Sequence, residues 1–338
     1  MKGKTILKER LPDFIDELIR ENLVFAPVKR ENITCFDEIS ASDEVHLNLQ
    51  NTKKPSKDVL FPKCEPLLLF EAKDKKVEVK EPKISDARRI LFGIRPCEAR
   101  GFNVFDKAFT SDEFKDVYYM KRRENAIVIG MACLKPSPTC FCTSVGGSPF
   151  SREGSDLLLV DLGDRYFVDV ITEKGEEVIE KTRLFKDAEK RDIDAAEKAA
   201  KEAEASIKTR IRLEGIQDKL SKMFDDPSWD DLHQKCVGCG VCTFLCPTCY
   251  CFDIVDESYG FEMRRVRVWD TCQFPLFTQQ ASGVNPRPSG KERMRQRIMH
   301  KFSYFPEVHG EIACIGCGRC IRECPVNFDI REVLKSIM

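Results

Sequence analysis

The stretch "CVGCGVCTFLCPTCYCFD", residues 236–253, decides the reading of this chain. Cys236, Cys239, Cys242 and Cys246 follow the spacing C-x2-C-x2-C-x3-C, with Pro247 next. The run returns near the carboxyl end, where "CIGCGRCIRECP" (314–325) matches "CVGCGVCTFLCP" (236–247) position by position in Cys, Gly and Pro. Each copy offers three closely spaced thiolates and a fourth just before proline. Iron–sulfur cubanes take four cysteine ligands, and in two-cluster ferredoxins the fourth cysteine of each run serves the other cluster. The spacing therefore predicts one [4Fe-4S] cluster on Cys236, Cys239, Cys242 and Cys324. It predicts a second on Cys314, Cys317, Cys320 and Cys246. Gly238, Gly240, Gly316 and Gly318 let the backbone wrap each cluster, and Pro247 and Pro325 stop the loops from continuing as helix. Zinc is the competing reading, but zinc motifs pair two C-x2-C units rather than running three cysteines before C-P.

Seventeen cysteines in 338 residues call for an explanation beyond these eight. A disulfide framework belongs to short secreted scaffolds, and this chain is long with no apolar leader, so its start reads as a mature cytoplasmic one. The longest apolar runs, "EPLLLFEA" (65–72) and "DLLLVDL" (156–162), are too short to span a bilayer. Lys+Arg at 55 and Asp+Glu at 56 nearly balance, which lacks the electrostatic footprint of a nucleic-acid binder.

A second thiol group lies in "GIRPCEARGF" (93–102) and "GMACLKPSPTCFCTSVGGSP" (130–149). Cys97 and Cys133 follow the apolar runs "RILFGI" and "AIVIGM", which read as strands; neighbouring strand ends would bring them beside Cys140 and Cys142. Four thiols at that density predict a third [4Fe-4S] cluster, against the plainer reading of buried apolar cysteines. "PTCYC" (247–251) echoes "PTCFC" (138–142), so Cys249 and Cys251, with Cys272 in "WDTCQF", form a further group of three. Three readings stand: another metal site, completion of the amino-terminal site, or packing around the dicluster with S–H contacts that tune potential. Cys35 and Cys64 read as core residues. His46, His233, His300 and His309 are scattered, and neither a G-x-G-x-x-G after a strand nor a G-x4-G-K-[ST] occurs.

Composition divides the chain into a mixed α/β domain over 1–185, a helical connector over 186–226 and a mainly α ferredoxin-like dicluster domain over 227–338, an α+β protein overall. The first has strands at 88–94, 125–133, 155–163 and 165–172, with helices near 10–22 and 96–109. The connector is rich in Ala, Glu, Lys and Arg with no proline, the composition of long helix. Arg287, Lys291, Arg293, Arg295, Arg297 and Lys301 read as a solvated helix face, and Arg319, Arg322 and Glu323 as solvent-exposed charges near the clusters.

The motifs "GIRPCEARGF", "CFCTSVGGSP", "DLLLVDLGDRYFVD", "CPTCYCFD", "WDTCQF" and "NPRP", with the two ferredoxin runs, resemble the iron–sulfur beta subunit of soluble sulfhydrogenases and the A subunit of anaerobic sulfite reductase, from about residue 60 onward. The resemblance implies an electron-transfer subunit in a hetero-oligomer. Its partners would be a flavin-containing, NAD(P)H-oxidising subunit and a catalytic or further iron–sulfur subunit of hydrogenase, sulfite/sulfur or heterodisulfide reductase type. The rival is a catalytic subunit that reduces a sulfur species at an open amino-terminal cluster.

Overall fold

The computed structural model describes residues 3–73, 76–111, 113–260 and 262–338. Its strands are β1 Gly3–Leu7, β2 Leu23–Arg30, β3 Ile33–Glu38, β4 Cys64–Lys73, β5 Lys76–Lys80, β6 Arg89–Ile94, β7 Ala126–Met131, β8 Leu157–Asp161, β9 Arg165–Val170, β10 Lys186–Asp187, β11 Phe252–Tyr259 and β12 Glu262–Trp269. Its helices are α1 Leu11–Glu21, α2 Pro96–Phe109, α3 Val117–Glu124, α4 Glu173–Glu180, α5 Lys190–Ser206, α6 Ile216–Lys222, α7 Ser228–Leu232, α8 Val241–Phe244, α9 Gly290–Met299, α10 Phe305–His309, α11 Arg319–Arg322 and α12 Ile330–Ile337. The protein is α+β, and the chain divides into two compact units.

The first unit comprises Met1–Val59, Asp86–Leu213 and Cys314–Arg319. Its eight-stranded sheet runs β10-β1-β9-β8-β7-β6-β2-β3, with β2, β6, β7 and β8 parallel. "RILFGI" and "AIVIGM" carry no alternation because both faces are covered: every residue of β6 and β7 is buried. Phe14, Ile15 and Leu18 of α1 and Val178 and Ile179 of α4 pack with Ile90, Phe92, Ile127 and Ile129. Asp156, at the entry to β8, accepts the Val128 amide at 2.7 Å and the Thr172 hydroxyl at 2.5 Å. Asp156→Ala orphans that buried amide and is expected to cost about 2 kcal/mol; Asp156→Asn should cost less. A urea midpoint unchanged in Asp156→Ala would contradict this.

The second unit comprises Leu60–Ser85, Glu214–Ala313 and Cys320–Met338. Here an antiparallel sheet, β11-β12-β4-β5, joins residues about two hundred positions apart, with Glu65 opposite Arg267. Those two form a buried ion pair at 2.5 Å, and the guanidinium lies 4.8 Å from the centre of the Phe61 ring.

The compositional boundaries at 185/186 and 226/227 are not those of the compact units. Residues 60–85 leave the amino-terminal region because β4 pairs with β12, a long-range pairing that composition does not register. The connector is not one long helix either. α5 stops at Ser206, and Ala196 and Ala203 are buried, Ala196 packing with Phe167 and Leu158 of the first unit. Buried Ile207 and Ile211 then run non-helically, with the Ile211 amide donating to Ser144 Oγ at 3.0 Å; Gly215, at φ +74°, precedes α6. Among the described residues no helix is long and apolar enough to cross a membrane.

Candidate metal centres

In the first unit, β6 and β7 are parallel neighbours with Ile94 opposite Gly130, so their carboxyl ends present Arg95-Pro96-Cys97 and Ala132-Cys133 side by side. Pro96 opens α2, where its missing N–H costs nothing, and Cys97 follows it in the first turn. The chain after Cys133 turns back through Cys140 into a short 3-10 turn, Cys142–Val145. Cys97, Cys133, Cys140 and Cys142 line one cavity. A fifth thiol lines it as well, Cys317, which spacing assigned to the second ferredoxin set. It arrives on the segment Cys314–Arg319: the Phe141 amide donates to the Gly316 carbonyl at 2.8 Å, and Asn51 Nδ2 to the Cys317 carbonyl at 3.4 Å. Gly316 is at φ +64°, and a Cβ there would stand 2.5 Å from the Cys142 nitrogen, so backbone lies directly on backbone.

Burial, with Cys317 adding to it, raises the Cys97 pKa well above the usual thiol value, and burial pushes Cys142 up to about 12. A metal entering here must therefore displace protons, as thiolate ligation always requires. Two arginines oppose that cost. Arg95 donates to the Ala132 carbonyl at 2.9 Å and favours the ionised forms of Cys133 and Cys97. Arg319, far from being a solvated charge, is fully buried: its Nη2 meets Glu98 at 2.5 Å and its Nε donates to the Thr52 carbonyl at 2.8 Å. It favours the ionised form of Cys97. Arg322 and Glu323 are half-buried.

In the second unit, Cys236, Cys239, Cys242 and Cys324 line one cavity, and Cys320 lines it too. The donor set is all sulfur, and the Phe328 amide donates to Cys324 Sγ at 3.2 Å. Of the other predicted set, Cys246 and Cys320 belong to this unit and Cys314 and Cys317 to the first. Cys246 accepts a thiol hydrogen bond from Cys249, which, against burial and aided by Lys301, holds its pKa well below the usual thiol value. Cys272 likewise donates to Cys251 and lowers its pKa. The three extra cysteines therefore sit in S–H contacts inside the second unit, one of them on a predicted ligand.

The basic run is not a solvated face. Met294, Arg297, Ile298 and Lys301 fall at i, i+3, i+4 and i+7 and are all buried. Lys291 pairs with Asp230 at 3.0 Å and Arg295 with Asp225 at 3.6 Å. A cation at an apolar-stripe position was the signal available in the sequence for Arg297. Cys35 packs half-buried against the first unit's core, whereas Cys64, expected in a core, is exposed at the start of β4.

A family model described as "4Fe-4S dicluster domain" matches residues 235–328. Sulfhydrogenase 2 subunit beta of Pyrococcus furiosus is 32% identical over 339 aligned positions, which cover 100% of this chain and 98% of that protein. The similarity thus includes the first sixty residues, where the motifs gave none. F420-dependent formate dehydrogenase subunit beta of Methanocaldococcus jannaschii is 24% identical over 177 positions, 49% of this chain and 37% of that one. No solved structure matches the chain. With one-third identity along the whole of both chains, and a dicluster domain where the two cysteine runs stand, the chain belongs to the family of sulfhydrogenase beta subunits.

Proposed function

We propose that the chain relays single electrons, in a cytoplasmic hetero-oligomer, between a flavin-containing, NAD(P)H-oxidising subunit and a catalytic subunit of hydrogenase or sulfur-reductase type. Two [4Fe-4S] clusters would be held by Cys236, Cys239, Cys242 and Cys324, and by Cys314, Cys317, Cys320 and Cys246. A third would be held by Cys97, Cys133, Cys140 and Cys142. The observation that carries the reading is two separate sulfur-lined cavities in one chain, each including a complete predicted set of four cysteines. Each cluster takes up and releases one electron, at a potential set by hydrogen bonds, burial and charge near its sulfurs. The second unit's sheet leaves Val77, Val79, Ile254 and Met263 exposed, an apolar face of the kind a partner subunit covers.

The catalytic rival draws on one observation. A second cavity of about 430 Å³ opens beside the amino-terminal thiols, sharing Arg95 and Cys133 with them and lined also by Lys135 and Tyr166. It lies at the carboxyl ends of the parallel strands, where open sheets receive ligands.

Iron and acid-labile sulfide on anaerobically purified protein, with EPR of reduced samples, test the proposal. The wild type should hold about twelve irons, and Cys140→Ser about four fewer with one signal lost. About eight irons in both proteins would remove the third cluster. An amino-terminal signal that shifts on adding sulfite or polysulfide would favour the catalytic rival over the relay.

A further inference from the structure

We propose that Arg297 is the built-in counter-charge of the dicluster, a guanidinium buried beside thiols of both predicted ligand sets that holds both reduction potentials above the values the cysteines alone would give. The inference rests on the two-cluster ligand reading above.

Arg297 is 3% exposed and lines the same cavity as Cys236, Cys239, Cys242, Cys320 and Cys324. Its Nη2 makes one long hydrogen bond, to the Cys242 carbonyl at 3.4 Å, and its buried Nε has no partner. Buried Arg319 and Arg267 each have a carboxylate at hand, Glu98 and Glu65. Arg297 forms no ion pair with a carboxylate among the described residues. A buried charge without a partner is costly enough that it is retained only where an opposite charge meets it. Thiols are the groups available: Cys236, Cys239, Cys242, Cys320 and Cys324 line the cavity that the guanidinium lines. Cys242 belongs to one predicted ligand set and Cys246 and Cys320 to the other, so the cation acts on both.

The sign follows from charge. Four thiolates around a [4Fe-4S]2+ core leave a net negative group, and reduction adds one electron without a proton. A fixed positive charge stabilises the more negative, reduced state and raises the potential. Lys301, one turn further along, is more selective. Its Nζ lies 3.5 Å from Cys246 Sγ and also donates to Thr248 Oγ1 at 3.0 Å and the Ala313 carbonyl at 2.9 Å, so it acts on the cluster that Cys246 serves.

An EPR-monitored redox titration of the full chain, with iron counted on each sample, tests this. Arg297→Gln should lower both dicluster midpoints by at least tenfold in the reduction equilibrium, 59 mV for a one-electron couple. Lys301→Gln should lower one of them, and Arg297→Lys should stay close to wild type. Arg297→Gln with full iron and unmoved midpoints would overturn the proposal. So would iron loss in Arg297→Gln that Arg297→Lys fails to restore, since the requirement would then be shape and not charge; restoration by lysine supports it. A wild type with fewer than about eight irons, or a single dicluster signal, would instead refute the ligand reading.

Discussion

Glu98→Ala is expected to lower the unfolding free energy of the first unit by about 3–5 kcal/mol. The side chains of Glu98 and Arg319 are 1% and 0% exposed, so neither charge has water to fall back on. Glu98 also accepts the Ser56 amide, so its removal orphans a buried donor as well as a buried cation. Arg319 would keep the Thr52 carbonyl and hydroxyl, at 2.8 and 3.2 Å, which satisfy hydrogen bonds but not charge. The double variant Glu98→Leu, Arg319→Met removes both charges and should recover most of the loss, because replacing a buried pair by apolar side chains is often neutral. Denaturant unfolding followed by tryptophan-independent far-UV signal, with all variants at equal iron content, measures each step. A Glu98→Ala variant within about 1 kcal/mol of wild type would mean that the pair is relaxed by water. The segment Cys314–Arg319 that Arg319 anchors also carries Gly316 and Cys317 onto the turn holding Cys140 and Cys142. On the proposal of a third cluster, the same variant should weaken iron retention at the amino-terminal thiols.

The sequence made the ligand chemistry legible and left the long-range geometry hidden. Cysteine spacing is a local property, and a parallel pair of apolar strands is recognisable from "RILFGI" and "AIVIGM"; together they were enough to expect Cys97 beside Cys133. The hairpin β11–β12 is legible in sequence as well. "FDIVDESYGFEMRRVRVW" mixes β-branched and charged residues about Gly260, which adopts φ +62° at the turn. Its pairing with β4, by contrast, joins Val266 to Pro66 and leaves no trace in either segment alone. From sequence, Arg297, Lys301 and Arg319 read as solvated because charged residues almost always are. What buries them is an excess of sulfur nearby, a tertiary property. For Arg319 the four-residue α11 is too short to show an apolar stripe, whereas α9, at ten residues, is long enough to place Arg297 on one.

Removing iron should strip amide protection from residues 236–250 and 320–328 while leaving the first unit's central strands and α12 protected. The reason lies in what each segment has besides ligand bonds. α8 spans four residues, α11 four and α7 five, far below the roughly 12–15 at which an isolated helix is even marginal in water. The segment 236–246 places glycines at φ +66° and +76°, which its unfolded chain gains entropy by leaving. Buried Arg297 adds an uncompensated desolvation cost once the thiolates no longer hold metal, because thiols such as Cys242, which burial keeps protonated, give it no negative partner. α12 differs: Ile330, Val333, Leu334 and Ile337 are buried and need no metal to stay so. β6 and β7 likewise bury every side chain. The probes are the amides of Thr243, Phe244, Leu245 and Cys246, whose hydrogen bonds of 2.9, 3.1, 3.0 and 3.2 Å all lie within the first cysteine run. In iron-free protein they should exchange about a hundredfold faster, roughly 2.8 kcal/mol of lost local stability, against little change at Ile127 and Ile129. Cys242→Ser should reproduce the effect without any chelator, which separates loss of the cluster from chemical damage. Retained protection at those four amides in iron-free protein would show that packing and not ligation folds the loop, and would weaken the case that Arg297 is kept there for a metal.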